Sequence, residues 1–275
     1  MSGTGRSAYA EIDVEHLGKS FHRRGTGKAA VNDIGMTVTS NSAIGIVGES
    51  GSGKSTLVRM MCGLLAPTTG TVSYNAAPLA GVLSTRGGRR EFRSRVQYVA
   101  QDTTSSFDPR RSLRDAVRLP AMRLLGMDAA TADTRVDDTL DSLELDPAMA
   151  ERYPTEVSGG QRQRFSIARA LVVKPRILLC DEVVSALDVS VQGAILNMLK
   201  QYCRAEDCGL VFVSHGLPAT AFIADDIVVM RNGVVVEQGT TDDIVENPQD
   251  PYTEQLLEAY TGLDEVEQLA VAAAR

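Results

Sequence analysis

No stretch of this chain approaches the ~18 consecutive apolar residues that would span a bilayer, and its first ten residues are small and polar with no apolar signal core. The sequence therefore predicts a protein that stays out of the bilayer unless a partner holds it there. Cysteine is scarce. Cys62, Cys180, Cys203 and Cys208 make neither a C-x-x-C pair nor a dense framework, which argues against disulfides and a zinc site and for reduced thiols in a cytosolic setting. Positive charge is short as well, 28 Lys and Arg against 35 Asp and Glu for a net charge of −7, so nucleic acid is not the expected main partner. The local exception runs from Arg86 through Arg89, Arg90 and Arg93 to Arg95, and is read as a solvated face rather than a lipid or RNA contact. No internal repeat is evident.

What is present begins with Gly48-Glu49-Ser50-Gly51-Ser52-Gly53-Lys54-Ser55-Thr56. The apolar run Ala43-Ile44-Gly45-Ile46-Val47 precedes it and Leu57-Val58-Arg59-Met60-Met61 follows, giving strand, glycine loop and helix in that order. This is G-x-x-x-x-G-K-[ST] in its required setting. Glycines let successive backbone N–H groups turn inward around phosphate oxygens at a positive helix end. Lys54 would bridge the β- and γ-phosphates, Ser55 would place its hydroxyl on Mg²⁺, and Thr56 lies near the α-phosphate.

At 275 residues the chain fits one large α/β domain carrying a subdomain. Alternating patterns at Glu11 to Leu17 and Val31 to Thr39 predict two strands of an antiparallel β layer, with a polar turn from His22 to Lys28 between them. Phe21, at the strand end facing the nucleotide, could stack on the adenine. Pro67 to Gly70 reads as a turn, Thr71 to Tyr74 and Val96 to Ala100 as strands, with Gln101 closing the latter. From Ser112 to Arg152 apolar residues recur at three- and four-residue spacings, interrupted by Pro120 and Gly126, which predicts a helical insertion. The core resumes with Ile177-Leu178-Leu179-Cys180-Asp181-Glu182 and Leu210-Val211-Phe212-Val213-Ser214-His215; Asp226 to Met230 and Val234 to Glu237 form a hairpin around Asn232-Gly233. The expected fold is α/β: a P-loop NTPase (RecA-like) core with a mainly parallel sheet, an antiparallel β layer and an inserted α-helical subdomain. The expected boundaries are 1–101 and 166–245 for the core, 102–165 for the helical subdomain with its glycine motif, and 246–275 for a C-terminal helical extension.

A magnesium nucleotide site needs an acidic contact beyond the loop serine, and Asp181 at the end of a buried strand is suitably placed. Glu182 beside it could polarise the attacking water. Asp181 stands much farther along the chain from Lys54 than in small GTPases, so a large element separates the two halves of the site. That element ends in Val157-Ser158-Gly159-Gly160-Gln161, which opens an amphipathic helix. Ser158 and Gln161 fit a capping box, but a cap does not require two consecutive glycines. Their exposed N–H groups suit a γ-phosphate supplied from elsewhere.

These motifs together with Gln101, Ser185-Ala186-Leu187-Asp188 and His215, in this order, resemble the nucleotide-binding subunit of an ABC transporter over nearly the whole chain. The resemblance implies an ATPase that uses ATP and Mg²⁺, and a second ABC ATPase subunit, identical or related, meeting it head to tail. Each ATP would lie between one subunit's phosphate loop and the other's Ser158, Gly159, Gly160 and Gln161. Gln101 would contact Mg²⁺ and the attacking water and sense the permease. His215 would hold the γ-phosphate and orient the water and Glu182, and Asp188 would cross the dimer interface. Two membrane permease subunits and, indirectly, an extracytoplasmic solute-binding protein are the implied partners, which puts the chain on the cytoplasmic face of the membrane.

The stretches Gln101 to Arg110, Val236 to Gly239 and Asn247 to Thr253 resemble ATPases of the dipeptide, oligopeptide and nickel import family. Peptide is the expected cargo; nickel or a metal–chelator complex is the alternative. A non-transport ABC module for DNA repair or translation is disfavoured, since coiled-coil arms, zinc modules and a second cassette are absent from the sequence. Three departures stand out. Val183 occupies the place where the family usually has proline, restoring an N–H without removing a ligand. Val157 replaces leucine at the start of the glycine motif. No cysteine follows Cys208, so the iron–sulfur cluster suggested by the tails of longer members is not expected.

Overall fold

Strongly apolar strands determine the layout, as seen in a computed structural model that describes residues 9–21, 29–102, 105–185 and 187–261. The polar turn at 22–28, residues 103–104, Ala186 and the extension beyond 261 lie outside the described residues. The strands are β1 (Glu11–Lys19), β2 (Val31–Thr39), β3 (Ala43–Val47), β4 (Thr69–Tyr74), β5 (Ala77–Pro78), β6 (Val96–Val99), β7 (Ile177–Asp181), β8 (Gly209–Ser214), β9 (Asp226–Arg231) and β10 (Val234–Thr240). The helices are α1 (Lys54–Met61), α2 (Leu79–Ser84), α3 (Arg86–Arg95), α4 (Leu113–Pro120), α5 (Ala129–Ser142), α6 (Pro147–Ala150), α7 (Gly159–Leu171), α8 (Val189–Ala205), α9 (Leu217–Ile223), α10 (Thr241–Glu246) and α11 (Pro251–Thr261).

Every residue of β7 and β8 is buried, as continuous apolar runs require when both faces of a parallel sheet are covered. They belong to a six-stranded sheet of order β10-β9-β3-β8-β7-β6, parallel except for β10, which returns through the tight turn Asn232-Gly233. Alternate residues feed opposite cores. Leu178, Cys180, Leu210 and Phe212 join α4, α5, α7 and α8 on one face. Ile177, Leu179, Val211 and Val213 join α1 and the antiparallel sheet β2-β1-β4-β5 on the other. A smaller core gathers Val47, Leu217, Ile227, Val229, Ile244 and Tyr252 beneath α11.

Two segments differ from the sequence expectation. Thr69 and Gly70 already belong to β4 rather than to a turn. Gly70 has φ +74° and sits against the His16 carbonyl, where β1 bulges and a side chain would collide. Pro120 ends α4 but does not break the chain direction: a π-helical turn, Ala121–Leu125, follows directly and stops at Gly126, φ +74°. The arginine-rich run is helix α3, with Arg86, Arg89, Arg90 and Arg93 exposed as expected and Arg95 buried. Arg89 donates to the Leu83 carbonyl at 2.8 Å and Arg90 to the Leu124 carbonyl at 2.6 Å.

Candidate functional site

The carboxyl ends of β3, β7 and β8 are level, with Val47 opposite Ser214 and Asp181 opposite Val213. The glycine loop, the two carboxylates and His215 therefore emerge at one edge of the sheet, where open α/β folds bind ligands. Gly53 has φ +105°, and a Cβ there would collide with the Ala30 carbonyl; one on Gly48 would strike the Met230 carbonyl. The loop is pinned by Ser52 N–H to the Glu49 carbonyl, 3.1 Å, and by Gly233 N–H to the Ser52 carbonyl, 2.9 Å. Gly53 begins α1 with no side-chain cap, whereas Asp128, Ser158 and Asp188 cap α5, α7 and α8. An uncapped helix end facing a glycine cradle is suited to phosphate oxygens.

Lys54 is 3% exposed and donates to the carbonyls of Gly48, 2.6 Å, and Glu49, 2.9 Å. Its ammonium lies 4.0 Å from a Glu182 oxygen. Burial lowers its pKa, opposed by the charges of Glu182 and Asp181. The Ser55 hydroxyl donates to one oxygen of Asp181 at 2.7 Å and the Tyr98 phenol donates to the other at 2.7 Å. Arg59 comes within 4.0 Å of the same carboxylate. These groups compensate for taking Asp181, 1% exposed, out of water. Burial pushes the Tyr98 phenol up, so it remains a donor at neutral pH. A hydroxyl held against a carboxylate is a donor set for a hard divalent cation such as Mg²⁺.

Glu182 follows β7 at φ +51°, an uncommon conformation that costs a side-chain-bearing residue on the order of 1 kcal/mol or more. Its N–H donates to the Val213 carbonyl at 3.0 Å, and the next two residues, Val183 and Val184, are buried in the helical-side core. Strand pairing before it and apolar burial after it thus hold the strained turn. The turn directs the Glu182 carboxylate outward, where the Gln101 amide donates to it at 2.8 Å. Valine at 183 packs as a core residue, 2% exposed, and leaves both carboxylates in place. His215 is exposed, one residue past β8. Phe21 is 62% exposed just beyond β1, with the Lys19 ammonium 5.5 Å from its ring centroid.

The glycine motif occupies a separate place. Ser158 accepts from Gln161 N–H at 3.3 Å while the Gln161 side chain accepts from Ser158 N–H at 2.9 Å, a complete capping box. Among the described residues, none of the hydrogen bonds of Ser158 to Gln161 reaches the phosphate loop. Gly159 faces open space, and Gly160 packs near Val191 and Leu187 beside Asp188, which caps α8. So the structure brings together the phosphate loop, Gln101, Asp181 and Glu182, with His215 on the adjoining strand end. Ser158 to Gln161 and Asp188 form a second group.

Two neighbours of the site were not apparent from the sequence. Tyr98 reaches Asp181 because β6 pairs in parallel with β7, and the Tyr252 phenol accepts from Glu49 N–H at 2.8 Å. No local motif signals either contact.

Comparison with known proteins gives concordant results. Residues 31–185 match the ABC transporter family. The oligopeptide transport ATP-binding protein OppF of Lactococcus lactis subsp. lactis (strain IL1403) is 36% identical over 244 residues, covering 89% of this chain and 76% of its own. The probable peptide ABC transporter ATP-binding protein y4tS of Sinorhizobium fredii (strain NBRC 101917 / NGR234) is 40% identical over 230 residues, covering 84% and 65%. Among solved structures, the dimeric post-hydrolysis state of the ATP-binding cassette MJ0796 bound to ADP and Pi superposes with a TM-score of 0.76. It is 25% identical and covers 84% of this chain and 98% of that one.

Proposed function

This chain belongs to the ABC transporter family, and from that premise we propose that it is the ATP-hydrolysing subunit of a peptide importer. That it is an ATPase follows from the family and from its likeness to an ATP-binding cassette in a post-hydrolysis state bound to ADP and Pi. The observation that carries the mechanistic reading is the arrangement of Ser55 with Asp181 and of Gln101 with Glu182, beside an uncapped helix end.

Glycine-loop N–H groups and Lys54 hold the β- and γ-phosphates. Ser55, Asp181 and Gln101 would hold Mg²⁺ through side-chain oxygens, and the ion would supply neutralisation of phosphate charge. Glu182 takes a proton from the water that attacks the γ-phosphorus as the bond to the β–γ bridging oxygen breaks, leaving ADP and inorganic phosphate, and Gln101 and His215 orient that water. Ser158, Gly159, Gly160 and Gln161 serve the ATP of a second subunit, a reading supported by their capping-box bonds, which do not involve this chain's own loop, and Asp188 lies at the interface between the two. Two permease subunits anchor the pair at the cytoplasmic face of the membrane. Among the described residues no helix is long and apolar enough to cross a membrane, so spanning is left to those partners.

Phe21 stacks on the adenine. Phe21→Ala should weaken Mg·ATP binding several-fold, about 1 kcal/mol, whereas Phe21→Tyr should preserve it. Unchanged affinity of the alanine variant in calorimetry would place the base against another residue. Peptide as the cargo rests on the names of relatives 36% and 40% identical. A strain lacking this chain should lose uptake of labelled oligopeptides while keeping uptake of free amino acids. Intact peptide uptake with lost nickel uptake would reassign the cargo.

A further inference from the structure

We propose that Tyr252 is a positioning residue for the phosphate loop, so that the C-terminal helix α11 forms part of the nucleotide site; this rests on the assignment of that loop to ATP. The Tyr252 phenol oxygen accepts the backbone N–H of Glu49, the second residue of the loop, at 2.8 Å across 203 positions of sequence. Its ring is 2% exposed and lies 4.6 Å beneath the Arg231 guanidinium.

The apolar neighbours of that ring connect it to two parts of the site. Val47 is the last residue before the loop, and Leu217 opens α9 two residues after His215; both share the core of Tyr252 with Ile227 and Val229. The ring therefore wedges between the strand that launches the phosphate loop and the helix that follows His215.

The position of Tyr252 is itself held from β10. The Glu237 carboxylate accepts from the N–H groups of Gln249, 2.7 Å, and Asp250, 3.1 Å, at the start of α11. Asp250 in turn accepts from Tyr252 N–H at 2.8 Å. The same hairpin, β9–β10, grips the other side of the loop through Gly233 N–H to the Ser52 carbonyl. Glu49 and Ser52 are thus fixed by two arms that converge on β10. Ring and hydroxyl have separable tasks: the ring fills the core, and the hydroxyl holds one loop amide.

Tyr252→Phe separates them, since it keeps the ring and removes only the acceptor. In the full chain it should leave the melting temperature nearly unchanged. Hydrogen exchange at the Glu49 amide, read by NMR in nucleotide-free protein, should accelerate about two- to tenfold, the range expected for one lost hydrogen bond. Mg·ATP affinity should weaken by about the same factor, with kcat held within about twofold because the hydroxyl is not a reacting group. An unchanged Glu49 exchange rate would overturn the tie to the loop, and unchanged affinity alongside faster exchange would overturn its role in nucleotide binding. Wild-type protein that bound no Mg·ATP would overturn the ATP assignment and with it the positioning role. The exchange measurement stays distinct from that failure, because faster exchange in Tyr252→Phe would still support the contact itself.

Discussion

Glu182→Gln is expected to lower steady-state ATP turnover by roughly 10²–10⁴-fold, the usual contribution of a positioned general base, while Mg·ATP affinity is retained or rises. Glutamine keeps the size of the side chain, and its amide oxygen can still accept from Gln101, which now bonds the carboxylate at 2.8 Å. What disappears is the proton acceptor and one negative charge 4.0 Å from Lys54, close to where phosphate charge must sit. The backbone turn at φ +51° depends on Val213 pairing and on burial of Val183 and Val184, none of which the substitution touches. Phosphate release and equilibrium nucleotide binding, measured on the same preparation, check both halves. A variant retaining more than about a tenth of the wild-type rate would mean that another group takes the proton.

Lys54→Ala is expected to abolish measurable nucleotide binding, a loss of at least about a hundredfold. A buried ammonium bonding two phosphate groups supplies charge-assisted hydrogen bonds of about 1.5–3 kcal/mol each. The same ammonium bonds the carbonyls of Gly48 and Glu49, so the substitution also removes a support of the loop. Stability should fall modestly, by about 1–2 kcal/mol. Circular dichroism melting separates that effect from the binding defect. Isothermal titration calorimetry showing Mg·ATP bound to the folded variant with wild-type affinity would remove the phosphate-loop assignment.

The parts of this site legible in the sequence are those whose geometry the local backbone dictates. A glycine loop between an apolar strand and a helix must expose N–H groups, and an acidic pair ending a buried strand must face the strand's open edge. The β9–β10 hairpin was legible for the same reason, from Asn232-Gly233 between apolar runs. Contacts set by sheet order were not. Tyr98 approaches Asp181 only because β6 is the neighbour of β7, and Tyr252 approaches Glu49 only because α11 folds back over β3 and β9. Sequence patterning also shortened β4, since Gly70 reads as a turn residue although it serves a close strand approach at the β1 bulge. The solvated face expected of α3 holds at Arg86, Arg89, Arg90 and Arg93, which are exposed, and fails at Arg95, which is buried with its guanidinium 3.1 Å from Glu91.

In the head-to-tail assembly proposed above, Ser158 to Gln161, whose capping-box bonds do not involve this chain's own phosphate loop, would serve the ATP of a second subunit. The dimeric ATP-binding cassettes to which the fold is similar are consistent with that assembly. Ser158→Arg adds bulk and positive charge at the N-terminus of α7, where the helix end is already positive, and removes the Ser158 half of the capping box. It should therefore oppose assembly at that surface without touching Lys54, Asp181 or Glu182. Multi-angle light scattering of Glu182→Gln, with and without Mg·ATP, alone and mixed with each candidate partner ATPase, is the most direct test. A monomer without nucleotide, a dimer with Mg·ATP, and loss of that dimer when Ser158→Arg is added are the expected results; a monomer in every mixture, or an ATP-dependent dimer indifferent to Ser158→Arg, would contradict head-to-tail assembly.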